Sequence, residues 1–273
     1  MNDRCKKIRR DKRVLFLSQI GVFIGVILLW EFGAKVGLLD EFLFSSPSSI
    51  FKLLVRYIET NEIWRHLFIS ILETIMGIIF GTFIGIVIAI ILWASKFLSK
   101  LLEPFLVLLN ALPKTALAPI MIIWAGTGIT GIVVVSISIL IVVTIISTYN
   151  YFINVDEEQV KMLHSFGATN KEIFTKLIFP SNLVNIINVV KINIGLAWVG
   201  VIVGEFLVSR AGLGYLIMYG GQVFRLDLVM MGVVVLCIIA YLMYATVNLI
   251  EKYLLKKRGK KIWNQLSSCY LSY

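Results

Sequence analysis

Residues 154–182 read NVDEEQVKMLHSFGATNKEIFTKLIFPSN, and their polarity sets them apart from the apolar runs on either side. Val160, Leu163 and Phe166 recur at helical spacing, and Ile173, Phe174, Leu177 and Ile178 do so again. Gly167 lies between the two runs and suits a tight reversal, because glycine tolerates positive φ. Thr169 followed by Glu172 matches a capping box, which starts a second helix there. Pro180 breaks that helix, since it lacks a backbone donor. The stretch predicts two short helices at a fixed angle, presenting an apolar knuckle to a partner.

The flanks of this stretch are long and apolar. A spanning helix needs about 20 predominantly apolar residues, and six runs qualify: Val14–Phe32, Ile69–Trp93, Leu101–Trp124, Ile129–Tyr149, Leu183–Leu207 and Leu228–Ile250. The third is interrupted by Pro104, Pro113 and Pro119, so a bent helix is expected, lining protein or a water-filled cavity. The first is long for a secretory signal and no small-x-small site follows it, so it reads as an uncleaved anchor. Composition agrees. The chain has 273 residues, 59% hydrophobic and 15% charged, against about 25% charged in soluble domains. Too little polar surface exists to coat a globule in water.

The net charge of +10 would suit nucleic acid if it were spread over a surface, but it is not. Seven of the 26 lysines and arginines fall in residues 1–13, and six (Lys252, Lys256, Lys257, Arg258, Lys260, Lys261) follow the last apolar run. Basic clusters beside apolar runs mark cytoplasmic ends. With both termini inside, 18 basic residues lie in cytoplasmic segments and six in external ones. The domain reading follows: a basic cytoplasmic N-terminus (1–13), a membrane domain (14–250) with a cytoplasmic loop at 154–182, and a basic tail (251–273). No nucleic-acid partner is expected. Cys5, Cys237 and Cys269 have no redox or ligand spacing. His66 and His164 are isolated, so no metal site is expected and both read as surface residues.

Other local signals are structural. Ser46 caps a helix with Pro47 at its first position, and Ile50, Leu53, Leu54, Tyr57 and Ile58 share one face of it, which reads as an amphipathic helix on the membrane or the bundle. Gly77, Gly81, Gly85 and Ala89 line one face of the second span, where small residues admit a neighbouring helix. That neighbour is a helix of the same chain or of a second copy. Ionisable residues within spans cost about 2.5–3.5 kcal/mol at the centre and default to functional candidates. Glu73 and Lys191 read as close enough to span ends to reach the interface. Lys114, after Pro113 in the broken span, either faces a pathway, favouring an anionic solute, or pairs with Glu205 or free carbonyls. Glu205 reads as holding its adjoining loop. The tryptophans, including Trp30, Trp64, Trp93, Trp124 and Trp198, suit an interfacial belt.

The 154–182 pattern resembles the cytoplasmic loop of ATP-binding cassette (ABC) importer permeases, often called the EAA loop. Gly167, Ala168, Phe174 and Pro180 occupy the family's places, whereas Lys161, Met162 and Leu163 stand where Glu-Ala-Ala is usual. Glu157 and Glu158, about one turn earlier, are the candidate acidic contacts instead. Residues 111–128 (ALPKTALAPIMIIWAGTG) and 203–217 (VGEFLVSRAGLGYLI) resemble segments of permeases for sulfonates, taurine, nitrate, bicarbonate and thiamine-precursor pyrimidines. The resemblance implies an all-α, six-span type I importer permease in the inner membrane, with five core helices preceded by an additional one.

It further implies the partners: a second permease copy, two cytoplasmic ATPases that bind ATP and Mg, and an external solute-binding protein. The coupling residues would be Glu157, Glu158, Lys161, Leu163, Phe166, Gly167, Ala168, Phe174 and Pro180. Pro113, Lys114, Pro119 and Glu205 are the candidate pathway or gating residues. The chain carries no GxxxxGK[ST] phosphate loop, and no paired catalytic constellation, so it is not expected to be an enzyme. A secondary transporter or channel is the alternative, but internal repeats and a denser set of intramembrane charges would then be expected.

Overall fold

The computed structural model describes residues 2–270, with side chains for 14–255 apart from 16, 41 and 254. The side chains of the basic segments 1–13 and 256–261, and those of Cys5 and Cys269, lie outside the described residues. The described residues contain helices and no strands. In chain order the helices are α1 (Asn2–Lys35), α2 (Glu41–Phe44), α3 (Pro47–Glu59), α4 (Glu62–Ala94), α5 (Lys96–Ala111), α6 (Ala118–Ala125), α7 (Ile129–Ile153) and α8 (Glu157–Ser165). They continue as α9 (Asn170–Ile173), α10 (Phe179–Ser181), α11 (Leu183–Val208), α12 (Leu213–Gln222) and α13 (Leu226–Tyr270).

Five helices are long and apolar enough to cross a membrane: Leu17–Lys35, Glu62–Ala94, Ile129–Ile153, Leu183–Val208 and Leu226–Tyr253. The sixth is a broken pair, Lys96–Ala111 with Lys114–Ala125, bent by 83°. The three prolines act differently. Pro104 sits inside α5 without ending it, Pro113 occupies the break, and Pro119 starts α6 in its first turn, where its missing N–H costs nothing.

The chain divides into two compact units. The first comprises residues 1–64 and 216–235. Within it, Ser46 Oγ accepts from Ser49 N–H and caps α3, with Pro47 in the first turn. Ile50 and Leu53 are buried, whereas Ile58 is exposed, so the inward face of α3 is narrower than its apolar stripe. The α1 segment leaves Val22, Phe23, Leu28 and Leu29 exposed, as expected of a helix whose solvent is lipid.

The second unit comprises residues 65–215 and 236–273 and is built around α7. Ser136, Leu140 and Thr144 of α7 lie where side chains at Gly77, Gly81 and Gly85 of α4 would fall. The small-residue face therefore receives a helix of the same chain. On another side of α7, a Cβ at Gly200 of α11 would sit 2.5 Å from the Ser136 Cα. Asn193 ties three helices together, donating to Thr82 Oγ1 (2.8 Å) on α4 and Thr144 Oγ1 (2.9 Å) on α7.

Two ionisable residues lie elsewhere than expected. Glu73 is 1% exposed rather than interfacial, because α4 begins at Glu62 and carries it about three turns into the helix. Lys191 is partnered within the protein. It forms an ion pair with Glu251 of α13, accompanied by Asn248 Oδ1 at 3.3 Å and by the Tyr244 ring. Trp198 is buried, away from any interfacial belt.

Candidate functional site

The loop 154–182 folds as two helices joined at Gly167. Asp156 Oδ1 accepts from Glu158 N–H (2.9 Å) and caps α8. Glu157 and Lys161 pair across one turn at 2.9 Å, and that bond holds the exposed Glu157 carboxyl below its ordinary range. The reversal uses Gly167 at φ +81°, with its N–H on His164 O (2.9 Å) and Ala168 N–H on Leu163 O (3.0 Å). Such a left-handed residue closes a helix C-terminus, and glycine adopts it without steric cost.

The capping box then opens α9. Glu172 N–H donates to Thr169 Oγ1, and Thr169 N–H and hydroxyl both donate to Glu172 Oε2 at 3.0 Å. Those donors, with Lys176, hold the Glu172 carboxyl at about 2. The helix does not stop at Pro180 as the sequence predicts. It widens into a π turn over Phe174–Ile178, with Phe179 N–H bonding Phe174 O, and passes Pro180 in the first turn of α10. Proline at 180 cannot donate and crowds the carbonyl four residues earlier, and the wider turn relieves both faults.

Most of the expected knuckle faces inward. Ile173 and Ile178 are buried with Ala89 of α4 and Phe152 of α7, and Val160, Leu163, Ala168 and Phe174 pack against them. Phe174 lies 4.8 Å from Trp93 and 5.3 Å, edge-on, from Phe152. Such aromatic pairs contribute about 0.5–1.5 kcal/mol beyond their area. The loop is thus clamped to the ends of α4 and α7. What it leaves outside is Phe166, 80% exposed, Met162, 52% exposed, and the charged Glu157, Glu158 and Lys161.

The other candidate residues fall apart from this loop. Lys114 is half-buried and donates to Asn110 O at 3.3 Å, not to Glu205. Pro113 and Pro119 are exposed. Glu205 is 1% exposed and accepts from Ser70 Oγ (2.5 Å), Gly214 N–H (2.5 Å) and Tyr215 N–H (3.4 Å), so it binds the first turn of α12, just after the 209–212 loop. His66 is not a free surface residue: its Nδ1 lies 2.9 Å from Gly212 N, and its ring stacks on Tyr215. His164 is exposed. Sequence reasoning missed Ser70, Thr82, Thr144 and Asn193, although a polar Asn within an apolar run was a usable signal.

The helical membrane domain, the broken span and the clamped two-helix loop fit the importer permeases that the sequence resembles, and the comparisons with known proteins show the family. Residues 77–260 match the model of the family described as "Binding-protein-dependent transport system inner membrane component". The putative aliphatic sulfonates transport permease protein SsuC of Escherichia coli (strain K12) is 30% identical over 84% of this chain and 87% of its own length. The riboflavin transport system permease protein RibX of Chloroflexus aurantiacus is 29% identical over 85% of this chain and 86% of its own. A solved inward-facing structure of the MetNI methionine ABC transporter shares the fold, with a TM-score of 0.62 at 17% identity over 70% of this chain and 94% of that one. The chain belongs to the family of binding-protein-dependent transport system inner membrane components, and is a permease subunit of a type I ABC importer in the branch that includes sulfonate, taurine and thiamine-precursor permeases. It is a multi-pass membrane protein.

Proposed function

We propose that the 157–181 loop is the point at which cytoplasmic ATPases drive this permease. The observation carrying this reading is the exposed pair Phe166 and Met162 on a loop whose other apolar residues are clamped to α4 and α7. A large apolar side chain held in water at the tip of a rigid element fits a pocket on a partner. Rigidity matters, because force applied at Phe166 reaches two spans through Phe174, Trp93 and Phe152. Glu157 and Glu158 supply the acidic contact where the family's usual Glu-Ala-Ala is replaced by Lys161, Met162 and Leu163.

In this reading two copies of the chain form the pathway in the inner membrane, with both termini and the loop on the cytoplasmic side. Two ATPase subunits hold ATP and Mg, and an external binding protein delivers a small solute. Lys114, at the break in the third span, uses one carbonyl as acceptor and offers its remaining donors to an anionic solute. The test is photo-crosslinking from position 166 in native membranes, beside a Gly167→Val variant. Val is strained at φ +81°, so the variant should insert normally yet lose the ATPase. A crosslink from 166 to an ATPase, lost in Gly167→Val, is expected. No crosslink from 166, or full ATPase retention by Gly167→Val, overturns the reading.

A further inference from the structure

Glu73 of α4 and Glu205 of α11 are each 1% exposed, and Ser70, one turn before Glu73 on α4, donates its hydroxyl to Glu205 Oε1 at 2.5 Å, which brings the two acids to neighbouring positions inside the membrane domain. The hydrogen-bond donors near them are unequally shared. Glu205 takes the Ser70 hydroxyl and the N–H groups of Gly214 and Tyr215, at the first turn of α12. With both of its oxygens already accepting, Glu205 is the member of the pair suited to remain a hydrogen-bond acceptor. Glu73 has no comparable set, and its Oε2 is buried with no hydrogen-bond partner among the described residues.

Two anions side by side in a low-dielectric site repel strongly, and one of a close carboxyl pair ordinarily keeps its proton. The surrounding groups do not remove that repulsion. His66, on α4, is engaged by the Gly212 peptide and stacked on Tyr215. Residues 127–132, which enter α7, carry no charge. Arg210 lines the same cavity as Glu73, about 480 Å³ in volume, and forms no ion pair with either acid among the described residues. That cavity is bounded by Glu73 and by Ser209, Arg210 and Ala211 of the loop.

We propose that Glu73 and Glu205 form a proton-binding site in which Glu73 carries the proton and donates a hydrogen bond to Glu205, latching the first turn of α12 and the 209–212 loop before it to α4 and α11. Loss of the proton places two negative charges together. The strain falls on the contacts that can yield, namely those from the α12 turn to Glu205. The latch is therefore closed while the proton is held and weakens when it is lost.

The experiment is infrared difference spectroscopy of the assembled transporter in lipid nanodiscs, wild type against Glu73→Gln. A protonated-carboxyl C=O band at neutral pH, shifting in heavy water and lost in Glu73→Gln, is the expected result. Absence of the band at neutral pH, or its persistence in Glu73→Gln, overturns the assignment. If Glu73→Gln does not assemble, the wild-type band is titrated upward while the Gly214 and Tyr215 amides are followed by hydrogen exchange. Disappearance of the band with loss of amide protection supports the latch, and disappearance with protection unchanged refutes it.

Discussion

Replacing Gly200 by alanine adds one methyl group at the closest approach between α7 and α11. The new Cβ would lie 2.5 Å from the Ser136 Cα and 3.0 Å from its N, both backbone atoms of α7. Carbon–carbon contacts are optimal at about 3.5–4.0 Å, so the helices must separate by roughly 1 Å at this crossing. No rotamer change relieves it, because the obstruction is main chain. Overpacking of a well-packed site costs about 1–3 kcal/mol, and the helix propensity of alanine over glycine returns about 1 kcal/mol, a gain that a second Gly→Ala change on the same helix shares. On the same helix, Gly195 has nothing within 4 Å of its Cβ direction, so Gly195→Ala is the matched control. The assay is reversible unfolding of the purified permease in mixed micelles. Measured against Gly195→Ala, Gly200→Ala should be less stable by about 1–3 kcal/mol, roughly a fivefold to 150-fold change in the unfolding equilibrium, while Gly195→Ala itself stays unchanged or gains up to about 1 kcal/mol. Equal effects at the two positions would refute the packing argument.

Three further outcomes are expected. Asn193→Leu removes both interhelical bonds to Thr82 and Thr144; at about 0.6 kcal/mol per such bond in a membrane, a loss near 1 kcal/mol should appear in the same unfolding assay, and an unchanged midpoint would contradict the network. Lys191→Met or Glu251→Gln alone leaves one charge of the ion pair between α11 and α13 unmatched, so each should lower the yield of folded protein, and the exchanged pair Lys191→Glu with Glu251→Lys should restore part of it. The Glu172 capping box titrates: because its carboxyl is held at about 2, below the ordinary carboxylate range, its stabilisation is complete above that range and is lost as pH falls toward 2. Amide exchange corrected for intrinsic rate should show Glu172 and Ile173 losing protection over that interval, and Thr169→Ala together with Glu172→Gln should abolish the change.

The spans were legible because an apolar run of sufficient length has one solution in lipid, and the cap at Ser46 and the capping box of Thr169 and Glu172 follow from local hydrogen bonding that needs no distant partner. Gly77, Gly81 and Gly85 announced a close neighbour but not its identity, since Ser136, Leu140 and Thr144 are far away in sequence. The misreadings share that cause. Glu73 seemed interfacial because apolarity starts at Ile69, yet the helix itself starts at Glu62. Lys191 reads from sequence as reaching the interface, and its ion pair went unannounced because Glu251 is 60 residues away. The knuckle seemed apolar throughout because helical spacing reveals a face, not its direction; Val160, Leu163 and Phe174 turn toward the spans and leave Phe166 outside. Pro180 seemed to end a helix, and the π turn that accommodates it has no sequence signature at this length.

The central claim is that this permease works only as part of an ATP-driven assembly. The most direct measurement is mild-detergent purification of the tagged chain from native membranes, with mass spectrometry of the proteins that accompany it. Recovery of an ATPase bearing a phosphate-binding loop, together with a solute-binding protein after cross-linking, is predicted. Repeated recovery of the chain without an ATPase, under conditions that keep a known importer intact, would contradict it.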